Sequence, residues 1–139
     1  MNTKIFEQVH TLATDMLAAA ESENSEQFSR LYQELQSICF DNEDDESKNH
    51  PVQWETLADF TEDAEEALRH YKKALGFADE IGARDYKASI CYAQAMLLAD
   101  EERLDEARSA IEEAQEYSNG LSDQELLDDI AELSKALEG

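Results

Sequence analysis

Basic residues are scarce in this sequence: 11 Lys and Arg stand against 34 Asp and Glu, leaving a formal net charge of −23. Nucleic-acid phosphates and anionic membranes repel such a chain at long range, so direct binding to either is not expected, and a basic protein partner fits better. Long apolar runs are also missing. None approaches the ~18 residues of a membrane-spanning helix, and the opening MNTKIFEQVH lacks a charged-then-apolar signal layout, so the cytoplasm is the expected compartment. Only two cysteines occur, Cys39 and Cys91, each among apolar residues at helical spacing with no second Cys or His close in sequence. Buried thiols in a reducing compartment follow from this; a disulfide would need the fold to bring the two together.

The mean hydropathy of −0.65 looks low for a globular chain, but 42% of residues are hydrophobic, enough for a core under a heavily charged surface. At 139 residues the chain has the size of one domain, and residues 1–139 are read as a single one. Charge is uneven along it. Residues 1–68 hold 17 acids and 3 bases, residues 69–98 hold 3 and 5, and residues 99–139 hold 14 and 3. A weakly basic middle therefore lies between two acidic ends.

Apolar residues recur at three and four throughout, so the fold class is all-α. Ile5, Val9, Leu12 and Met16 form one stripe and Phe28, Leu31, Tyr32, Leu35 and Ile38 another, joined near Glu23 to Ser25. A short third helix over 51–60 accepts Pro51 in its first turn and turns Trp54, Leu57 and Ala58 inward. Thr61 is the expected cap of a fourth, whose stripe runs Ala64, Ala67, Leu68, Tyr71, Ala74, Leu75, Ala78, Ile81 before Gly82 closes it. Further helices are expected over 84–99 and 103–118, the latter stopped by Asn119-Gly120. Ser122 with Glu125 suggests a capping box for the last, along which Leu126, Ile130, Leu133 and Leu137 share a face.

Signals of catalysis are weak, and no enzyme, cofactor or metal site is expected. His10, His50 and His70 sit on different elements without a partner at ligand spacing, so each reads as a surface or boundary histidine. Asp41, Glu43 and Asp45 alternate like the first ligands of a calcium loop, but the sixth-place Gly is missing and Val52 stands where the closing Glu belongs. A solvated loop is the better reading. The chain has one proline and four glycines, with no glycine-rich phosphate loop, nucleophile elbow or His-Glu-x-x-His. Adjacent carboxylates such as Glu65-Glu66 and Asp128-Asp129 point to different sides of a helix and cannot share a substrate.

Ala67-x3-Tyr71-x2-Ala74 returns 40 residues later as Ala107-x3-Ile111-x2-Ala114, each on the second helix of a hairpin. Small residues let two helices approach while the larger one between them fills the gap to the next helix. This pattern resembles the tetratricopeptide repeat, whose first helix carries W-x2-L-G-x2-Y. Cys91, Gln94, Ala95 and Leu98 fall on those places before Ala107, with Gln94 replacing the Leu. Before Ala67 the places hold Pro51, Trp54, Glu55 and Ala58, and a Glu in place of Gly implies locally splayed packing. In the first hairpin Gln27, Leu31 and Glu34 occupy the A-x3-F-x2-A positions, so only the helical pattern survives there. The stretch LGFADEIGARD prolongs the fourth helix, as in longer-helixed members whose ending is Ile-Gly-x-Arg.

The resemblance implies a right-handed stack of three hairpins, about 3–40, 51–81 and 84–118, with residues 122–137 as a capping helix. It further implies a concave groove that binds a helix or peptide of another protein. Groove positions would be Ser89, Tyr92, Met96 and Ala99 in the third hairpin and Val52, Thr56 and Asp59 in the second, with Lys87 a further partner-binding candidate. Val9, Leu12, Met16 and Ala19 are their counterparts in the first, where core is the better reading. A carboxylate clamp is not supported, since only Lys87 and Asn49 lie near the required places. The leading functional reading is a non-enzymatic adaptor or small chaperone. An acidic inhibitor or immunity protein that blocks the basic site of a toxin or nucleic-acid enzyme is the alternative, and a homo-oligomer joining the basic middle to an acidic end is a third.

Overall fold

The expected stripes become helices. The computed structural model describes residues 3–45 and 49–138, and over these the chain is all-α, with seven helices and no strand. They are α1 (Thr3–Glu21), α2 (Ser25–Asp41), α3 (Pro51–Asp59), α4 (Ala64–Glu80), α5 (Arg84–Asp100), α6 (Leu104–Ser118) and α7 (Gln124–Glu138). The chain divides into two compact units, Met1–Ala74 and Leu75–Gly139.

In the N-terminal unit α1, α2 and α3 pack against one another. Val9, Leu12, Met16 and Ala19 of α1 are all buried, so these positions are core. Leu31, Leu35 and Cys39 of α2, Trp54, Leu57 and Ala58 of α3, and Ala67, Tyr71 and Ala74 of α4 complete it. In the C-terminal unit α5 packs on α6, and α7 lies against both. Its core is rich in alanine: Ala88, Ala95, Ala107, Ala110 and Ala114 are buried beside Ile90, Cys91, Leu98 and Ile111. Small side chains at these positions allow close approach of the helix backbones.

Three helices end in the same way. After α1, α4 and α5 a residue in the left-handed region closes the helix: Glu23 (φ 59°), Gly82 (φ 64°) and Glu102 (φ 61°). In each case its N–H and that of the next residue donate back to carbonyls in the last turn, as in Ala83 N to Ala78 O at 3.0 Å and Arg103 N to Leu98 O at 2.9 Å. Gly82 thus terminates α4 as its sequence position suggests. Two Arg side chains finish other helix ends from outside: Arg84 donates to Glu116 O at 2.9 Å and Arg108 to Leu137 O at 2.8 Å. Cations at C-terminal carbonyls satisfy orphan acceptors and oppose the helix dipole.

The caps at helix starts differ from expectation in two places. Thr61 does not cap α4, because its hydroxyl is engaged by Leu57 O at 2.7 Å and the Tyr32 hydroxyl at 2.8 Å; Asp63 caps instead, accepting from Glu66 N at 2.9 Å. Ser122 likewise yields to Asp123, which accepts from Leu126 N at 3.2 Å. A third difference concerns Ile81, assigned above to the α4 stripe. It lies past the end of the helix and is 55% exposed.

Candidate functional site

Ser89, Tyr92, Met96 and Ala99 occur at helical spacing along α5 and so share one side of it. Ser89, Tyr92 and Ala99 are half-buried and Met96 is 44% exposed, whereas Ala88, Cys91, Ala95 and Leu98 on the same helix are buried. Burial, and then the carboxylates of Asp129 and Glu132 on α7, push the Tyr92 phenol above its ordinary range. The ring is therefore flanked by negative charge, a feature that sequence reading missed. Asp129 and Glu132 border the α7 stripe of Leu126, Ile130, Leu133 and Leu137, but nothing in that spacing ties them to Tyr92.

Lys87 is held inside its own unit. Its ammonium lies 2.5 Å from Asp79 Oδ1 and 5.2 Å from the Tyr117 ring centroid, so its charge is already matched. Cys91 is buried, with its sulfur 3.8 Å from Glu113 Oε2, and burial followed by that carboxylate pushes the thiol up to about 12. Such a thiol is not a nucleophile.

Val52, Thr56 and Asp59 share one side of α3, in the other unit. Asp59 is exposed as a residue but accepts a 2.5 Å hydrogen bond from the Tyr71 hydroxyl. Desolvation lifts the carboxyl above its usual value and the Tyr71 bond opposes this; the residue's open side limits the net rise. Val52 offers its N–H to His50 Nδ1 at 3.1 Å, part of a capping box in which Gln53 Oε1 accepts from His50 N at 3.3 Å. His50 thus serves as a helix cap.

The loop before α3 is organised by Asn49. Its Nδ2 lies 2.6 Å from Glu43 O, 2.8 Å from Asn42 O and 3.3 Å from Asp45 O, and its Oδ1 accepts from the Trp54 indole at 3.3 Å. Glu43 pairs with Lys73. Of the stretch weighed as a calcium loop, Glu46, Ser47 and Lys48 lie outside the described residues. Among the described residues no three His, Cys, Asp or Glu side chains are gathered so as to hold a metal ion, and no helix is long and apolar enough to cross a membrane.

His70 corrects the expectation of a surface or boundary histidine. It is 7% exposed, with ring centroids 5.9 Å from Trp54 and 6.1 Å from Phe40, and its Nε2 has no hydrogen-bond partner. Burial holds its pKa below 6.5; Glu66, at 3.8 Å, opposes this and Arg69 adds to it. The folded chain therefore takes up this proton at lower pH than the unfolded chain, and the stability His70 confers is complete above ~6.5 and declines as pH falls below it. Relative to a His70→Phe variant, which keeps a ring and cannot titrate, the wild type is expected to lose stability between pH 7.5 and 5. Urea denaturation at both pH values checks this, and an unchanged difference would refute it.

No family model, curated protein or solved structure matches the chain.

Proposed function

We propose that the chain is a non-enzymatic interaction module, a tetratricopeptide-like stack of hairpins in which the Tyr92 and Met96 side of α5 takes a helix or extended segment of a cytoplasmic partner. One observation carries this reading: on a helix that buries Ala88, Ile90, Cys91, Ala95 and Leu98, Met96 keeps 44% exposure and Tyr92 is only half-buried, beside two α7 carboxylates. An aromatic and a methionine form an adaptable apolar surface, and Asp129 and Glu132 add a preference for Lys or Arg at its edge. The alanine stripes of α4 and α6 support the repeat reading, because Ala67, Tyr71 and Ala74 and then Ala107, Ile111 and Ala114 are all buried.

Affinity capture with wild type and a Tyr92→Ala/Met96→Ala variant, at low and moderate salt, tests the reading. The partner is expected to survive moderate salt and to bind the variant about tenfold or more weakly, as for a central anchor pair. A partner retained by the variant and released by salt would instead favour the acidic inhibitor, whose carboxylates act over a broad surface.

A further inference from the structure

A second surface lies in the N-terminal unit, away from α5 in sequence and in composition. Two cavities of about 370 and 350 Å³ share Phe28, Ser29 and Glu62 and so form one trough along the first half of α2. Its apolar wall is aromatic: Phe28 and Phe60 meet edge to face at 5.9 Å, and Tyr32 stands beside them, anchored through its hydroxyl to Thr61. All three rings keep partial exposure. The rest of the lining includes the carboxylates of Glu23, Glu62, Asp63 and Glu66, and neither cavity is lined by a Lys or Arg.

We infer that this trough is a docking site for an arginine-bearing segment of a partner protein. Aromatic faces attract a cation and carboxylates complete its neutralisation, and the planar guanidinium does both at once, lying on a ring while its N–H fork reaches the acids. Lysine, a more strongly hydrated point charge, gains less from the rings. A second copy of this chain is a poor occupant, since each copy carries −23. Phosphate-bearing ligands are excluded by the same sign.

The test uses fluorescence anisotropy with a fluorescein-labelled nine-residue peptide of three Arg and six Gly, and its Lys and Glu counterparts, on the full chain. The Arg peptide is expected to bind, the Lys peptide several-fold more weakly and the Glu peptide not at all. Glu62→Lys should weaken the Arg peptide about tenfold, while Glu112→Lys, an equal charge change at an exposed α6 position, should change it less than about twofold. Phe60→Leu, which keeps an apolar side chain, should erase the preference for Arg over Lys. The proposal falls if the two charge reversals act equally, or if wild type fails to bind the Arg peptide at low salt. The Tyr92→Ala/Met96→Ala variant should bind the peptide as wild type does. Loss of Arg-peptide binding in that variant with Glu62→Lys silent would move the peptide to α5 and overturn the trough while leaving the α5 reading intact.

Discussion

Trp54→Ala is expected to destabilise the N-terminal unit by about 3–5 kcal/mol, a large share of the stability of an ordinary domain. The side chain is fully buried, with Phe40 at 5.5 Å, His70 at 5.9 Å and the Lys73 ammonium 4.9 Å above the ring. Truncation would leave a cavity among these groups and remove the indole donor from Asn49, whose amide holds three loop carbonyls. Trp54→Phe separates the two losses: it keeps most of the ring and leaves Asn49 Oδ1 without its donor, at a cost of about 1–3 kcal/mol. Urea titrations followed by far-ultraviolet circular dichroism would give both values. A loss under about 1 kcal/mol for the alanine variant would mean that this aromatic group is not the centre of the unit.

Overpacking should be the corresponding weakness of the C-terminal unit. Ala114 is fully buried on α6, in line with Ala107 and Ile111, and a larger side chain there must displace its packed neighbours. Ala114→Leu is expected to cost about 2–3 kcal/mol through forced backbone and rotamer shifts. Ser109→Leu on the exposed side of the same helix adds comparable volume and should lie within about 0.5 kcal/mol of wild type. Equal effects at the two positions would show that helix propensity, not packing, sets the outcome.

The helices were legible because apolar spacing is set by burial of one face, and burial is what the fold needs from Val9, Leu12, Met16 or Ala107, Ile111, Ala114. Caps were less legible. A hydroxyl and a carboxylate near a helix start compete for the same N–H, and the sequence does not say that Tyr32 and the Leu57 carbonyl will occupy Thr61. Asp63 stood three residues before Glu66, the spacing of a capping box, and was the available signal. The role of Asn49 had none, because its four partners are three backbone carbonyls and a ring that only the folded loop brings near. Of the candidate site, helical spacing grouped Ser89, Tyr92 and Met96 on one side of α5. Asp129 and Glu132 come from a different helix, and no local period connects them to Tyr92.

Cys39 and Cys91 are both fully buried free thiols, one in each unit, and desolvation pushes each up to about 12. Near neutral pH a sulfur reagent finds neither access nor thiolate until the surrounding helices part. Each half of the chain thus contains its own stopwatch. Under continuous labelling at low reagent concentration, the rates at Cys39 and Cys91, read from separate peptides by mass spectrometry, would rank the opening free energies of residues 1–74 and 75–139. No engineered probe is needed, and Ala114→Leu should quicken the Cys91 clock before that of Cys39.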